Sequence, residues 1–83
     1  MEAPELQSEV LAILADVTGT DAVRTDPNLL LYDSGLLDSL GTVTLMATFE
    51  ESFGVAISPA AFDRADWATP ARMLADLTRR CAR

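Results

Sequence analysis

The residues best suited to chemistry are Asp38 and Ser39, which stand where an irregular segment becomes a patterned amphipathic helix. Asp38 is a favoured N-cap residue, so Ser39 should occupy the first helical position with its hydroxyl exposed to water. A phosphate on the Ser39 oxygen would face the positive end of the helix dipole and free backbone N–H groups. The alternative is that Asp-Ser simply caps a helix, and local chemistry alone favours this simpler interpretation.

Other kinds of reactive site have little support. The chain has no His, so a Ser-His-Asp triad is impossible, and Leu37 and Gly41 do not match the Gly-x-Ser-x-Gly pattern around Ser39. It has no Lys and therefore no phosphate-binding P-loop motif, and the acids of residues 26–33 lack the spacing of a calcium loop. We expect no catalytic residues and no metal site.

Composition and charge limit the domain organisation and the partners. The 83 residues allow one domain, residues 1–83, with one modest core. Ten of the thirteen acids lie in residues 1–61, where Arg24 is the single base. This balance argues against nucleic-acid binding and favours partners that present Arg or Lys near Ser39. The lone Cys81 and the lack of a signal-like or long apolar segment predict a cytoplasmic protein without membrane insertion.

The hydrophobic pattern predicts helices joined by one long loop. A first helix has an apolar face with steps of three and four, and Gly19 can end it; the face consists of Leu6, Val10, Ile13, Leu14 and Val17. A loop of about twenty residues follows, with Leu29–Tyr32 as its predicted anchor to the core and a candidate short turn of helix. The next helix is predicted over Ser39–Phe53, ended by Gly54.

The helix over Ser39–Phe53 carries two apolar lines. The predicted buried face consists of Leu45, Met46, Phe49 and Phe53. A second line, displaced around the helix, consists of Leu40, Val43 and Ala47 and is flanked by Glu50 and Glu51. An apolar line beside acids is typical of a docking surface, although a small bundle can also bury both lines.

Two Ser/Thr-Pro signals predict the remaining helices. Ser58–Pro59 predicts the start of a short third helix containing Phe62, and Thr69–Pro70 predicts the start of a last one. The last helix should direct Met73, Leu74, Leu77 and Cys81 inward. Trp67, between the two, is interpreted as a core anchor. The predicted fold class is all-α, a four-helix bundle with a short third helix and a long loop between helices one and two.

The run Asp33–Leu40, followed by Val43, Leu45 and Glu50–Glu51, resembles the acyl and peptidyl carrier protein family. In that family the serine of the Asp-Ser-Leu motif carries 4'-phosphopantetheine, so the resemblance implies a covalent arm on Ser39, derived from coenzyme A. It further implies roles in capping and transferase recognition for Asp38, and in partner docking for Leu40, Val43, Ala47, Glu50 and Glu51.

Two further motifs resemble a narrower branch of that family. These are Gly35–Val43, with Gly41 where fatty-acid carriers usually have an acid, and the spacing of Phe62–Arg64, Trp67 and Thr69–Pro70. The branch comprises stand-alone D-alanyl carrier proteins of teichoic-acid modification and their amino-acid-carrying relatives. The resemblance covers about residues 5–80.

The function that this resemblance implies is tethering by a non-enzymatic, monomeric carrier. A phosphopantetheinyl transferase would load the arm, an adenylating enzyme would charge its thiol with an aminoacyl thioester, and an acyltransferase with a basic docking surface would unload it. The narrow-branch motifs imply an amino acid as the cargo. Abundant Ala and Arg without Lys indicate a GC-rich genome, which favours an amino acid, often a β-amino acid, bound for a polyketide or nonribosomal peptide product. The alternative cargo is D-alanine for teichoic acid.

A rival from another class is a non-covalent acidic helical adaptor that never carries a prosthetic group. It predicts that Ser39→Ala leaves function unchanged, whereas a carrier would lose function and keep its fold.

Overall fold

The fold is a small helical bundle, which confirms the predicted class. The computed structural model describes residues 3–58, 60 and 62–81, and this part of the chain contains no β-strand. Its elements are α1 (Ala3–Thr18), α2 (Ala22–Thr25), α3 (Ser39–Phe53), a 3₁₀ helix (Arg64–Trp67) and α4 (Pro70–Cys81). Across those described residues, no helix combines the length and apolar content that spanning a bilayer requires.

One hydrophobic core lies between α1, α3 and α4. The inward-facing side chains on these helices recur at helical spacing, as the sequence pattern predicts. The fully buried ones include Val10, Leu14, Leu45, Phe49, Met73 and Leu77. Trp67 of the 3₁₀ helix is also fully buried, and its ring meets Phe49 edge to face with 5.6 Å between centroids. Each such side chain contributes about 1.5–3 kcal/mol of burial free energy, and Trp67 is a core anchor as predicted.

The long loop after α1 contains a helical turn, but not where the sequence suggests. The turn is α2, at Ala22–Thr25, whereas Leu29–Tyr32 forms irregular turns. The Thr20 hydroxyl accepts from the Ala22 N–H at 3.2 Å and so supports the start of α2. Val23 is buried and holds this turn against the core.

The rest of the loop is tied to the segment that opens α4. The Leu31 N–H donates to the Ala68 carbonyl at 2.9 Å, and the Ala71 N–H donates to the Pro27 carbonyl at 3.1 Å. Leu37 donates to the Leu31 carbonyl at 3.0 Å, and both leucine side chains are buried. The residues just before Ser39 are therefore held close to the 3₁₀ helix and α4.

The short third helix begins later than the Ser58–Pro59 signal predicts, and Pro59 lies outside the described residues. It is the 3₁₀ helix Arg64–Trp67, so Phe62 precedes it. Asp63 provides the cap, since its side chain accepts from the N–H two residues on at 3.0 Å. Phe62 packs edge-on against Trp67, with 4.6 Å between ring centroids. The aromatic contact thus holds Phe62 against the core outside any helix.

A buried acid joins the 3₁₀ helix to α4. Asp76 accepts from the Trp67 indole Nε1–H at 2.9 Å and from Arg80 Nε at 2.8 Å, and Arg79 also donates to it. The Asp76 side chain is only 2% exposed. A buried carboxylate is tolerated when it is paired and fully hydrogen-bonded. Asp76 therefore satisfies the one polar atom of the buried indole and fixes Trp67 in place.

We expect Asp76→Ala to lower the free energy of unfolding by about 2–4 kcal/mol, because the indole N–H loses its acceptor and Arg80 loses its partner. Asp76→Asn retains an oxygen acceptor and should cost less. Urea denaturation followed by the fluorescence of Trp67, the single tryptophan, measures both. Asp66→Ala, which removes an exposed acid of the same 3₁₀ helix, is the control. Equal losses for the alanine variants at 66 and 76 would contradict a special role for the buried carboxylate.

Candidate functional site

The start of α3 has the geometry that the sequence predicts. Asp38 is in an extended conformation, and its Oδ1 accepts from the Gly41 N–H at 2.8 Å. The Asp38 carbonyl accepts from the Thr42 N–H at 2.9 Å and from the Thr42 hydroxyl at 2.7 Å. Ser39 is consequently the first residue of α3, and its side chain is exposed. The hydroxyl therefore lies at the start of the helix and is accessible.

Gly41 allows the N-cap to close tightly. A Cβ at this position would lie 3.0 Å from Leu37 Cδ1, 3.3 Å from Asp38 Oδ1 and 3.6 Å from Val17 Cγ1. Leu37 is buried and Asp38 is engaged as the cap, so neither has free room to move. The Asp38 cap therefore packs most easily when residue 41 has no side chain.

Arg64 is a functional-site residue to which sequence analysis gave no role of its own. Its Nη2 donates to Ser39 Oγ at 2.6 Å, across 25 residues of chain. The guanidinium also lies over the Tyr32 ring, with Cζ 4.7 Å from the ring centroid. The only sequence signal was the Phe62–Arg64 motif, which shows no spatial neighbour by itself.

Tyr32 connects Arg64 to the first turn of α3. The Tyr32 hydroxyl lies 2.7 Å from Thr42 Oγ1, and because the Thr42 hydroxyl already donates to the Asp38 carbonyl, Tyr32 acts as the donor here. Burial raises the pKa of the Tyr32 phenol, while the hydrogen bond with Thr42 and the positive charge of Arg64 oppose the rise. The phenol therefore remains protonated at neutral pH and can donate this bond.

A shallow groove of about 290 Å³ opens beside the Ser39 hydroxyl. It lies between α3 and the segment that leads into the 3₁₀ helix. Its lining consists of Ser39, Thr42, Val43, Met46, Phe62 and Arg64. The hydroxyl thus stands at the edge of a surface that is apolar on one side and cationic on the other.

The second apolar line of α3 faces solvent, which answers the question that the pattern left open. Leu40 is 77% exposed and Val43 is 54% exposed, whereas Leu45 and Phe49 on the other face are fully buried. The exposed members are Leu40, Val43, Ala47, Glu50 and Glu51, and we call them the α3 outer face. Ser39 lies at the N-terminal end of this face, next to Leu40 and Val43, whereas Glu50 and Glu51 lie in the last turn of α3.

These groups suit a phosphodiester on the Ser39 oxygen. The exposed Ser39 oxygen is the point of attachment, and an arginine beside it and the positive end of a helix dipole are groups that stabilise phosphate in proteins. Asp38 and Arg64 form no ion pair within 4.0 Å, and Asp38 Oδ1 accepts from the Gly41 N–H.

Comparison with known proteins identifies the family that the chain resembles. A protein-family model described as "Phosphopantetheine attachment site" matches residues 8–77. A D-alanyl carrier protein of Lacticaseibacillus casei is 46% identical over 70 residues, which are 84% of this chain and 86% of that protein. One from Bacillus velezensis is 42% identical over 74 residues, 89% of this chain and 95% of that protein. One from Listeria monocytogenes is 41% identical over 71 residues, which are 86% of this chain and 91% of that protein.

We expect Gly41→Ala to lower the free energy of unfolding by about 0.5–2 kcal/mol, although alanine favours helix by up to about 1 kcal/mol elsewhere. The reason is the contact of the new Cβ with Leu37 and the Asp38 carboxylate. Chemical denaturation measures the loss, and NMR amide shifts should locate the disturbance at residues 37–42. Thr44→Ala, on the exposed side of the same helix, serves as the control. A Gly41→Ala protein more stable than wild type would show that Leu37 and Asp38 can move enough to accept a methyl group at residue 41.

Proposed function

The chain belongs to the family of proteins with a phosphopantetheine attachment site, and on this basis we propose that Ser39 is the residue that carries the 4'-phosphopantetheine arm. The observation that supports this assignment is the exposed Ser39 hydroxyl at the first position of α3, next to Arg64. The neighbouring Ser34 is a poorer candidate, since its hydroxyl donates to the Leu31 carbonyl within the preceding turn.

As a carrier, the protein tethers a substrate and does not catalyse a reaction. The bound arm supplies a terminal thiol that holds an acyl group as a thioester. The contribution of the chain is to fix the point of attachment, through the Asp38 cap and the buried Leu37, and to present a surface that partner enzymes recognise. A tethered acyl group reaches an active site at high effective concentration, so each partner need bind the carrier only weakly.

We propose D-alanine as the cargo. The relatives named above are D-alanyl carrier proteins, and they match most of this chain at 41–46% identity. They favour the D-alanyl alternative over a β-aminoacyl unit for polyketide or nonribosomal peptide synthesis, which depended on composition alone. The partners are then a phosphopantetheinyl transferase, a ligase that activates D-alanine, and an acyltransferase that removes it.

The α3 outer face is the proposed docking surface for these partners. Leu40 and Val43 expose apolar side chains next to the attachment site. Exposed apolar area does not contribute to the stability of the free protein, and a contiguous patch of it is typical of an interaction surface. Glu50 and Glu51 lie in the last turn of α3, where the helix dipole disfavours acids. Their position therefore does not serve the stability of α3, and it suits a partner surface with Arg or Lys.

The attachment site is tested by intact-protein mass after incubation with coenzyme A and a broad-specificity phosphopantetheinyl transferase. We expect wild type and Ser34→Ala to gain one phosphopantetheine and Ser39→Ala to gain none. Circular dichroism verifies that all three proteins are folded. A modified Ser39→Ala protein, or an unmodified but folded wild type, would refute the assignment and return the non-covalent adaptor to consideration.

The cargo and the docking surface are tested together by charging the holo protein. We expect a D-alanine-activating ligase to transfer D-alanine to the arm, with a mass increase of one alanyl group, and no transfer from a β-amino-acid-activating enzyme.

Val43→Asp should slow charging about tenfold, which corresponds to a loss of about 1.4 kcal/mol in binding free energy, because it places a charge in the apolar contact.

Leu30→Asp is the matched control for that variant, since Leu30 is 51% exposed but lies in the loop and outside α3. Its charging rate should equal that of wild type. Equal slowing by both variants would reject the α3 outer face as the docking surface. Charging by the β-amino-acid enzyme alone would reject D-alanine.

A further inference from the structure

Arg64 is held in one orientation by contacts on two sides. Its Nη2 donates to Ser39 Oγ at 2.6 Å, and its guanidinium lies over the Tyr32 ring at 4.7 Å. Tyr32 is itself fixed, because its hydroxyl is bonded to Thr42 in the first turn of α3. An exposed arginine normally samples many rotamers, so this arrangement directs a cation at one particular oxygen.

The charge of Arg64 is not used in an ion pair within the described residues. Arg24 pairs with a nearby acid, and Arg79 and Arg80 pair with Asp76. No carboxylate in the described part of the chain lies within 4.0 Å of the Arg64 guanidinium nitrogens. The adjacent Asp63 accepts from a backbone N–H instead. Arg64 thus remains a cation without an anionic partner in a protein of net charge −7.

A neutral hydroxyl is a weak partner for such a group. Guanidinium binds phosphate more strongly, because the bond is charge-assisted and the planar fork matches two phosphate oxygens. The oxygen that Arg64 contacts is the one to which a phosphodiester would be attached under the proposed function. We propose that Arg64 binds the phosphodiester of the arm and that Tyr32 is a positioning residue for its guanidinium.

This proposal depends on attachment at Ser39 and goes beyond it. It assigns to the 3₁₀ helix the recognition of the arm's phosphate, whereas the docking surface lies on α3. A bound phosphate restricts the directions in which the arm leaves the protein. It also ties Arg64, and with it the 3₁₀ helix, to the start of α3 more firmly than the hydroxyl contact does.

The test compares apo and holo forms of wild type, Arg64→Gln and Arg64→Lys. Arg24→Gln is the equal-charge control, because Arg24 pairs with Asp21 beside α2 and neither proposal gives it a role at Ser39. Mass spectrometry first establishes that each protein takes up one arm. Chemical denaturation at low salt then gives the change in the unfolding equilibrium constant on conversion from apo to holo.

We expect conversion to the holo form to favour folding about fivefold more in wild type and Arg24→Gln than in Arg64→Gln, which is about 1 kcal/mol. Arg64→Lys should retain part of the effect as a point charge. The difference should fade near 1 M NaCl, where the Debye length is about 3 Å. The ³¹P resonance of the holo protein should shift on Arg64→Gln and stay unchanged on Arg24→Gln.

The other outcomes separate this proposal from the one on which it depends. Equal holo stabilisation in all variants with an unchanged ³¹P resonance would refute phosphate binding by Arg64 and leave attachment at Ser39 intact. A folded Arg64→Gln protein that takes up no arm would place Arg64 in transferase recognition and would also refute the proposal. A folded wild type that takes up no arm would refute both proposals.

Discussion

The site depends on the hydrogen bonds that Asp38 makes where the loop ends and α3 begins. Asp38 Oδ1 accepts from the Gly41 N–H, and the Asp38 carbonyl accepts from the N–H and the hydroxyl of Thr42, so the side chain and the main chain of this residue both bond to the first turn. These bonds determine which residue is the first of α3, and hence that the Ser39 hydroxyl points to solvent. Leu37, just before the cap, is buried in the core. Gly41, just after it, has no side chain that could press against Leu37 and the Asp38 carboxylate. A shift of one residue in this boundary would turn the hydroxyl by about 100°, given 3.6 residues per turn.

The same helix serves the core and the surface because its two apolar lines face different ways. Leu45 and Phe49 are fully buried in the core, while Leu40 and Val43 remain exposed. Since the buried line carries the stability of α3, substitutions on the outer face need not disturb the core. A carrier that visits several enzymes benefits from this separation, because weak, electrostatically steered contacts can vary without cost to the fold.

Features encoded by neighbouring residues were predictable from sequence. The bounds of α3 follow from Asp38 as N-cap and Gly54 with its positive φ, and the structure has the helix at Ser39–Phe53 as predicted. The Ser58–Pro59 signal predicts a third helix that begins earlier than the observed 3₁₀ helix. That signal is local, whereas the position of Phe62 depends on its contact with Trp67. Asp76 looks from sequence like an ordinary surface acid beside arginines, and its burial follows only from the indole opposite it. The contact between Arg64 and Ser39 could not be predicted from sequence either, because the two residues are 25 positions apart and only the tertiary fold brings them together.

The 3₁₀ helix joins the core to the site within four residues. Its last residue, Trp67, is anchored in the core by Phe49 and Asp76, and its first, Arg64, contacts Ser39. The hydrogen bonds of the Asp38 cap, by contrast, are made only with Gly41 and Thr42, which lie in the first turn of α3. The two parts of the site therefore have separate supports: one local, which positions the hydroxyl, and one tertiary, which brings the cation to it. Loss of the Trp67 anchor would displace Arg64 and leave the cap of α3 in place, so the serine can stay presented even when the packing around the 3₁₀ helix is loosened.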